Sequence, residues 1–122
     1  MLDKSKNIIK IKSFQENPPF ECGYSLDVIN KSILISIALN ANGAEGQNSF
    51  PGMNGEMEVT GFYGIYCLDY IIETDLSITL VIEKEDKEIL YMENQDLKYV
   101  IGILDALSFV NGNLPDFLEQ NT

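Results

Sequence analysis

The sequence contains no histidine and no tryptophan, and all eight of its positive charges are lysines, so arginine is missing too. Each absence closes off chemistry. Without histidine the commonest general base is gone, and with it the Ser-His-Asp and Cys-His arrangements and the usual zinc ligand. Without arginine there is no forked donor to clamp a substrate carboxylate or phosphate. Cysteine is scarce. Cys22 and Cys67 are the two thiols, and their separation matches neither a metal knuckle nor a redox pair. They read as reduced, mostly buried, small apolar groups of a cytoplasmic protein, with a disulfide as the alternative. No window reaches the roughly 18 apolar residues needed to span a bilayer. Residues 1–12 alternate lysine with isoleucine and lack the apolar stretch of a signal peptide. Phosphate-binding glycine patterns are also missing: no helix start or lysine follows the glycines at 43, 46, 52 and 55.

What the chain does have is acid. Nineteen acidic residues against eight lysines give a net charge of −11 over 122 residues. The surplus is uneven. Residues 1–12 hold Lys4, Lys6, Lys10 and Lys12 against Asp3, a net of +3, while the other 110 residues hold eighteen acids and four lysines, a net of −14. Such a field repels phosphate backbones, which argues against direct nucleic-acid binding, and it steers a basic partner towards the surface. The length and the apolar fraction of 45% suit one ordinary core, so residues 1–122 are expected as a single domain.

The hydrophobic pattern predicts strands through the N-terminal half. Asn7 to Phe14 alternates Ile9 and Ile11 with Lys10 and Lys12, as an outer strand would, and Asn17-Pro18-Pro19 ends it. Tyr24 to Ile29 and Ile33 to Leu39 alternate again, with Asn30-Lys31-Ser32 as a hairpin connection. Residues 40–55, rich in asparagine and glycine, read as a long loop of the kind that binds partners, with Phe50 and Met53 its only large apolar residues. Glu56 to Thr60 then alternates, with Met57 and Val59 inward. Gly61 to Glu73 is apolar on both faces, and its aromatic and β-branched content favours strand over helix. Leu76 to Glu83 and Glu88 to Glu93 form a hairpin about the charged turn Lys84 to Lys87. Asn94 is placed to cap a helix running from about Gln95 to Val110 and stopping at Gly112, with Lys98, Gly102, Asp105 and Ser108 as its polar stripe. Pro115 to Glu119 reads as a last helical turn within a loose tail over 115–122. The expected architecture is α+β: a mostly antiparallel sheet of five to seven strands with one long C-terminal helix packed on it.

Carboxylates are the functional groups in supply. Glu56, Glu58, Asp69, Glu73 and Asp75 could in principle form a glycosidase-type pair, but a single sheet with one helix offers little cleft. No catalytic residue is therefore assigned and no enzyme activity is expected. Asn40-Ala41-Asn42-Gly43 matches only a fragment of a calcium loop, so neither metal nor cofactor is expected. Tyr63, Tyr66 and Tyr70 fall beside Asp69 and Glu73, where rings and carboxylates together attract cations; the alternative is that these tyrosines are core. Glu83, Glu85, Asp86, Glu88 and Glu93 surround the second hairpin, either as a solvated surface or as an acidic face matching a basic one. The partner-binding set is Asn42, Glu45, Asn48, Phe50, Met53, Glu56, Glu58, Tyr66, Asp69, Tyr70, Glu73 and Asp75.

A small acidic chain without catalytic groups and with an amphipathic sheet resembles, in overall character, the immunity proteins that bacteria make against delivered toxins, such as those of contact-dependent inhibition systems. The resemblance implies tight one-to-one binding of a cognate toxin in the cytoplasm, often a basic nuclease domain, with its active site blocked. It implies that Glu56, Glu58, Asp69, Glu73 and Asp75 face toxin lysines and arginines, and that Asn42 to Met53 supplies specificity. Competing expectations are a structural or assembly component of a phage or secretion system, a homodimer closed through the apolar C-terminal helix, or a small-ligand binder with a carboxylate pocket.

Overall fold

The segments expected as the first three strands are helices. The computed structural model of the chain describes residues 5–107. Helices α1 (Lys6–Glu16) and α2 (Leu26–Ala41) precede a five-stranded sheet, and α3 (Leu97–Leu107) follows it. Local chemistry explains α2. Ser25 is extended at the N-cap and its Oγ accepts the Val28 N–H at 3.1 Å, Asp27 sits in the first turn, and Gly43 just beyond the C-cap has φ +79°. Val28, Ile29, Ser32, Ile35, Ser36 and Leu39 are buried at spacings of three and four. The alternation of polarity misleads because Leu34 and Ile37 are exposed while Ser32 and Ser36 are buried. In α1 the same holds: Asn7 and Ile11 face inward and Ile9 faces out.

The sheet is a meander. Strands β1 (Gly46–Pro51), β2 (Met57–Tyr63), β3 (Tyr66–Ile72), β4 (Ile78–Lys84) and β5 (Lys87–Gln95) lie in the order of the chain, every neighbour antiparallel. The expected long loop over 40–55 therefore contains an edge strand. The doubtful stretch 61–73 is the end of β2 and all of β3, joined by the two-residue turn Gly64-Ile65, where Gly64 has φ +58°. The second hairpin forms as expected and turns at Glu85-Asp86. Strand β5 carries two irregularities: Leu90 and Glu88 oppose the adjacent Ile82 and Glu83, and Gln95 and Met92 oppose Ile78 and Leu80. Each inserts one extra residue into β5. Asn94, expected as a helix cap, lies within the second with φ +57°, and Asp96 caps instead, its Oδ1 accepting the Tyr99 N–H at 2.7 Å. Ser108 and the expected helix end near Val110, the Gly112 stop and the last turn over 115–119 lie outside the described residues.

All three helices share one face of the sheet. Helix α1 lies over β1, α2 over β2 and β3, and α3 against β4 and α2. The centre of the core is thus α2, not the C-terminal helix, whose described part spans 11 residues. Between the layers sit Val28, Ile35 and Leu39 of α2, Leu68, Tyr70 and Ile72 of β3, Leu80 and Ile82 of β4, and Val100 and Leu104 of α3. At the β1 side the interface is polar but satisfied. Asn7 donates to Gln47 and Ser36 and accepts from Ser49 at 2.8 Å, Ser36 donates to Gln47 at 2.6 Å, and Gln47 donates to Asn40 at 2.6 Å. Among the described residues no helix is long and apolar enough to cross a membrane.

Gly61 lies directly beneath α2. A Cβ there would stand 2.6 Å from Leu39 Cδ2 and 3.0 Å from Cδ1, and Leu39 is wholly buried. Gly61→Ala is therefore expected to lower stability by about 1–3 kcal/mol, the scale of an overpacked core. Urea unfolding checks this as a drop in midpoint at unchanged slope.

Candidate functional site: the uncovered face of the sheet

Alternation along each strand sends every second side chain away from the helices. None of the three helices packs on this outer face. The register arranges it in three rows. Phe50, Glu58, Ile71 and Thr79 lie side by side across β1 to β4. Asn48, Thr60, Asp69, Val81 and Tyr91 form the next row, and Gly46, Phe62, Cys67, Glu83 and Glu88 the third. Glu58, Asp69 and Glu83 therefore run diagonally over β2, β3 and β4. On one side of that diagonal stand Ile71, Val81 and Tyr91, and on the other Thr60, Phe62 and Cys67. Phe62 and Tyr91 are 41% and 52% exposed.

The acids hold one another in an unfavourable state. Thr60 donates its hydroxyl to Asp69 Oδ1 at 2.6 Å, which fixes that carboxylate at the centre. Burial, followed by the charge of Asp69 and a hydrogen bond shared with it, raises the pKa of Glu58 above the ordinary 4.5. Glu83 is raised by burial, by Asp69, and by Asp86 and Glu88, and it stands directly opposite Glu88 in the ladder, where like charges repel. The Cys67 thiol, among Asp69, Glu83, Glu58 and Asp86, is pushed up to about 11, chiefly by burial, so it stands as the thiol and not as a thiolate nucleophile at neutral pH. Among the described residues no three His, Cys, Asp or Glu side chains converge so as to hold a metal ion. A row of carboxylates with apolar shoulders suits an organic cation.

The structure divides the residues expected to bind a partner. Glu58, Asp69, Asn48 and Phe50 share the outer face, and Lys10 of α1 reaches round the edge of β1 to donate to Asn48 and to stand 5.7 Å from the Phe50 ring. Glu56, Glu73 and Asp75 form a second group at one end of the strands. There burial, Glu56, Asp75 and Glu93 raise Glu73, while Ser77, through its hydroxyl and its N–H, lowers Asp75. Met53 lies at that end in the β1–β2 connection, exposed, its carbonyl accepting from Cys22, a free thiol that is exposed where burial was expected. Asn42 and Glu45 lie at the opposite end of β1. Asn42 caps α2 and donates to Asp105 of α3 at 2.9 Å, and the Glu45 N–H donates to the Phe62 carbonyl. The loop expected to supply specificity is thus split by a strand.

Two expected residues do not reach the surface. Tyr66 and Tyr70 alternate onto the helix side of β3 and are core. Sequence reasoning missed Phe62, Val81 and Tyr91, and it placed Glu83 and Glu88 on the hairpin without joining them to Glu58 and Asp69. The missing signal was register, which only the pairing supplies. Comparison with protein-family models, with curated proteins and with solved structures finds no match.

Raised carboxylates give a signed pH dependence. A glutamate whose pKa is higher folded than unfolded favours the fold when protonated, and that contribution is lost as pH rises through the folded value. Thermal unfolding should show Glu58→Gln more stable than the native chain at neutral pH, by at most about 1 kcal/mol, the upper end for a cross-strand pair. The difference should vanish as pH falls below the ordinary glutamate value of 4.5, where the side chain is protonated in both states. Tyr70 tests the core assignment. Its hydroxyl is buried with no hydrogen-bond partner among the described residues, so Tyr70→Phe should hold or raise stability, by up to about 1 kcal/mol, as measured by denaturant midpoint.

Proposed function

We propose that this chain is a binding protein, not an enzyme, that neutralises a cognate basic protein by covering it, in the manner of a bacterial immunity protein acting on a delivered toxin, often a nuclease domain. The observation that supports it is the sheet face on which none of the described helices packs. Three carboxylates on adjacent strands are set among half-buried apolar side chains, and two of them, Glu58 and Glu83, are raised by burial and then by neighbours of like charge. Repulsion of this sort weakens the isolated fold and is relieved when a cation arrives. The chain also lacks histidine and arginine, and the negative surface repels nucleic acid itself, so a protein bearing lysines and arginines is the matching partner. Tight binding would come from the desolvated centre of the face, and fast encounter from the surplus charge around it.

A second reading, a homodimer or an assembly component, is favoured by Leu26, Leu34 and Ile37, which α2 leaves 57%, 46% and 48% exposed. Sedimentation over a range of concentration separates the two, since a self-associating chain gains mass without a partner.

Kinetics of binding to basic nuclease-type toxin domains test the main reading. The association rate should fall steeply as salt shortens the Debye length from about 10 Å to about 3 Å. Asp69→Lys should weaken the complex at least about tenfold by placing a cation where one is to be received. An unchanged affinity in the variant, together with an association rate indifferent to salt, would sink the reading.

A further inference from the structure

Resting on the reading above, we propose that the dock is the outer sheet face itself, and that its occupant is an extended protein segment bearing arginines on one side, their guanidinium groups along the Glu58, Asp69, Glu83 diagonal and their stems and planes laid on the apolar shoulders. The diagonal sets the spacing. Neighbours one strand over and two residues along are about 7–8 Å apart, close to the repeat of about 6.6 Å between same-side residues of an extended strand. One segment can therefore meet all three acids in succession. The shoulders set the rest of the chemistry. Phe62 and Tyr91 are exposed rings on opposite sides of the acids, with Ile71 and Val81 half-buried between Tyr91 and the diagonal.

Arginine fits this arrangement better than lysine. Its planar guanidinium stacks on a ring while its forked donors engage a carboxylate, and it sheds water at lower cost than an ammonium. Asp69 is already held by Thr60 through one oxygen, Oδ1. The other acids at hand fit less well. Glu56, Glu73 and Asp75 sit on connections at the end of the sheet, and Asp75 is engaged by Ser77. A polyelectrolyte held by charge alone would be indifferent to the apolar shoulders; this occupant would not.

The test uses two soluble peptides of equal length and charge, one alternating arginine with serine and one alternating lysine with serine. Titration of each into the isotopically labelled full chain is followed by amide chemical shifts and calorimetry. The arginine peptide should bind about tenfold more tightly than the lysine peptide, with shifts concentrated at Glu58, Asp69, Val81, Glu83 and Tyr91. Phe62→Ser and Tyr91→Ser should erase the difference between the peptides. Asp69→Asn and Glu83→Gln should weaken both, with circular dichroism confirming that each variant folds. Equal affinity for the two peptides, or shifts gathered at Glu56, Glu73 and Asp75, would overturn the proposed dock and leave the broader reading standing. Binding of neither peptide, with no salt-sensitive complex with a basic toxin domain, would overturn both.

Discussion

Leu39 rests on the bare backbone of Gly61, and the placing of the helix layer follows from that contact. With no side chain at Gly61, α2 settles close over β2 and β3 and buries Val28, Ile35 and Leu39 there. The other helices are set against α2. The amide network joining Asn7, Ser36, Gln47 and Ser49 pins α1 between α2 and the edge strand. The bond from Asn42 to Asp105 ties α3 to the end of α2. Three helices are thereby committed to one side of a five-stranded sheet, and among the described residues the other side is left to side chains alone.

An antiparallel sheet can tolerate this, because its second face is ordinarily polar and wet. Here the second face is mixed. Thr60 and Thr79 are nearly buried by their neighbours, Ile71 and Val81 are half-buried, and the acids between them are partly desolvated. The consequence is an acidic surface held in fixed geometry. Strand register sets the spacing of the carboxylates, and Thr60 holds one of them, so little ordering would remain to be done on contact with a cation. Rigidity and repulsion have a common origin in the pleat.

The sequence made the second half of the fold legible and misrepresented the first. Leu76 to Glu93 reads correctly as a hairpin because Ile78, Leu80 and Ile82 alternate with genuinely outward residues. Residues 7–39 mislead because isoleucine and leucine stand on the exposed sides of both helices, while Asn7, Ser32 and Ser36 are inside. A period of two then appears where the burial period is that of a helix. The better clue was at the ends, in Ser25 with Asp27 and in Gly43, which bound a helix of 16 residues. The acids were legible as a class. Their grouping was not: Glu58 and Asp69 separate from Glu56, Glu73 and Asp75 only once the pairing is known, and Glu83 joins them from a segment that sequence assigned to a different hairpin.

The two insertions in β5 bear on how the molecule behaves among its own kind. This strand ends the sheet, so its outward peptide groups have no neighbour within it. Between the kinks only residues 90–92 keep a regular pleat, and Glu88 and Glu93 flank them. So short a run, bracketed by negative charge, is a poor template for a sixth strand. Cross-β stacking needs a longer flat ladder with little charge, and crowded copies of this chain would repel one another at that edge before they could zip together.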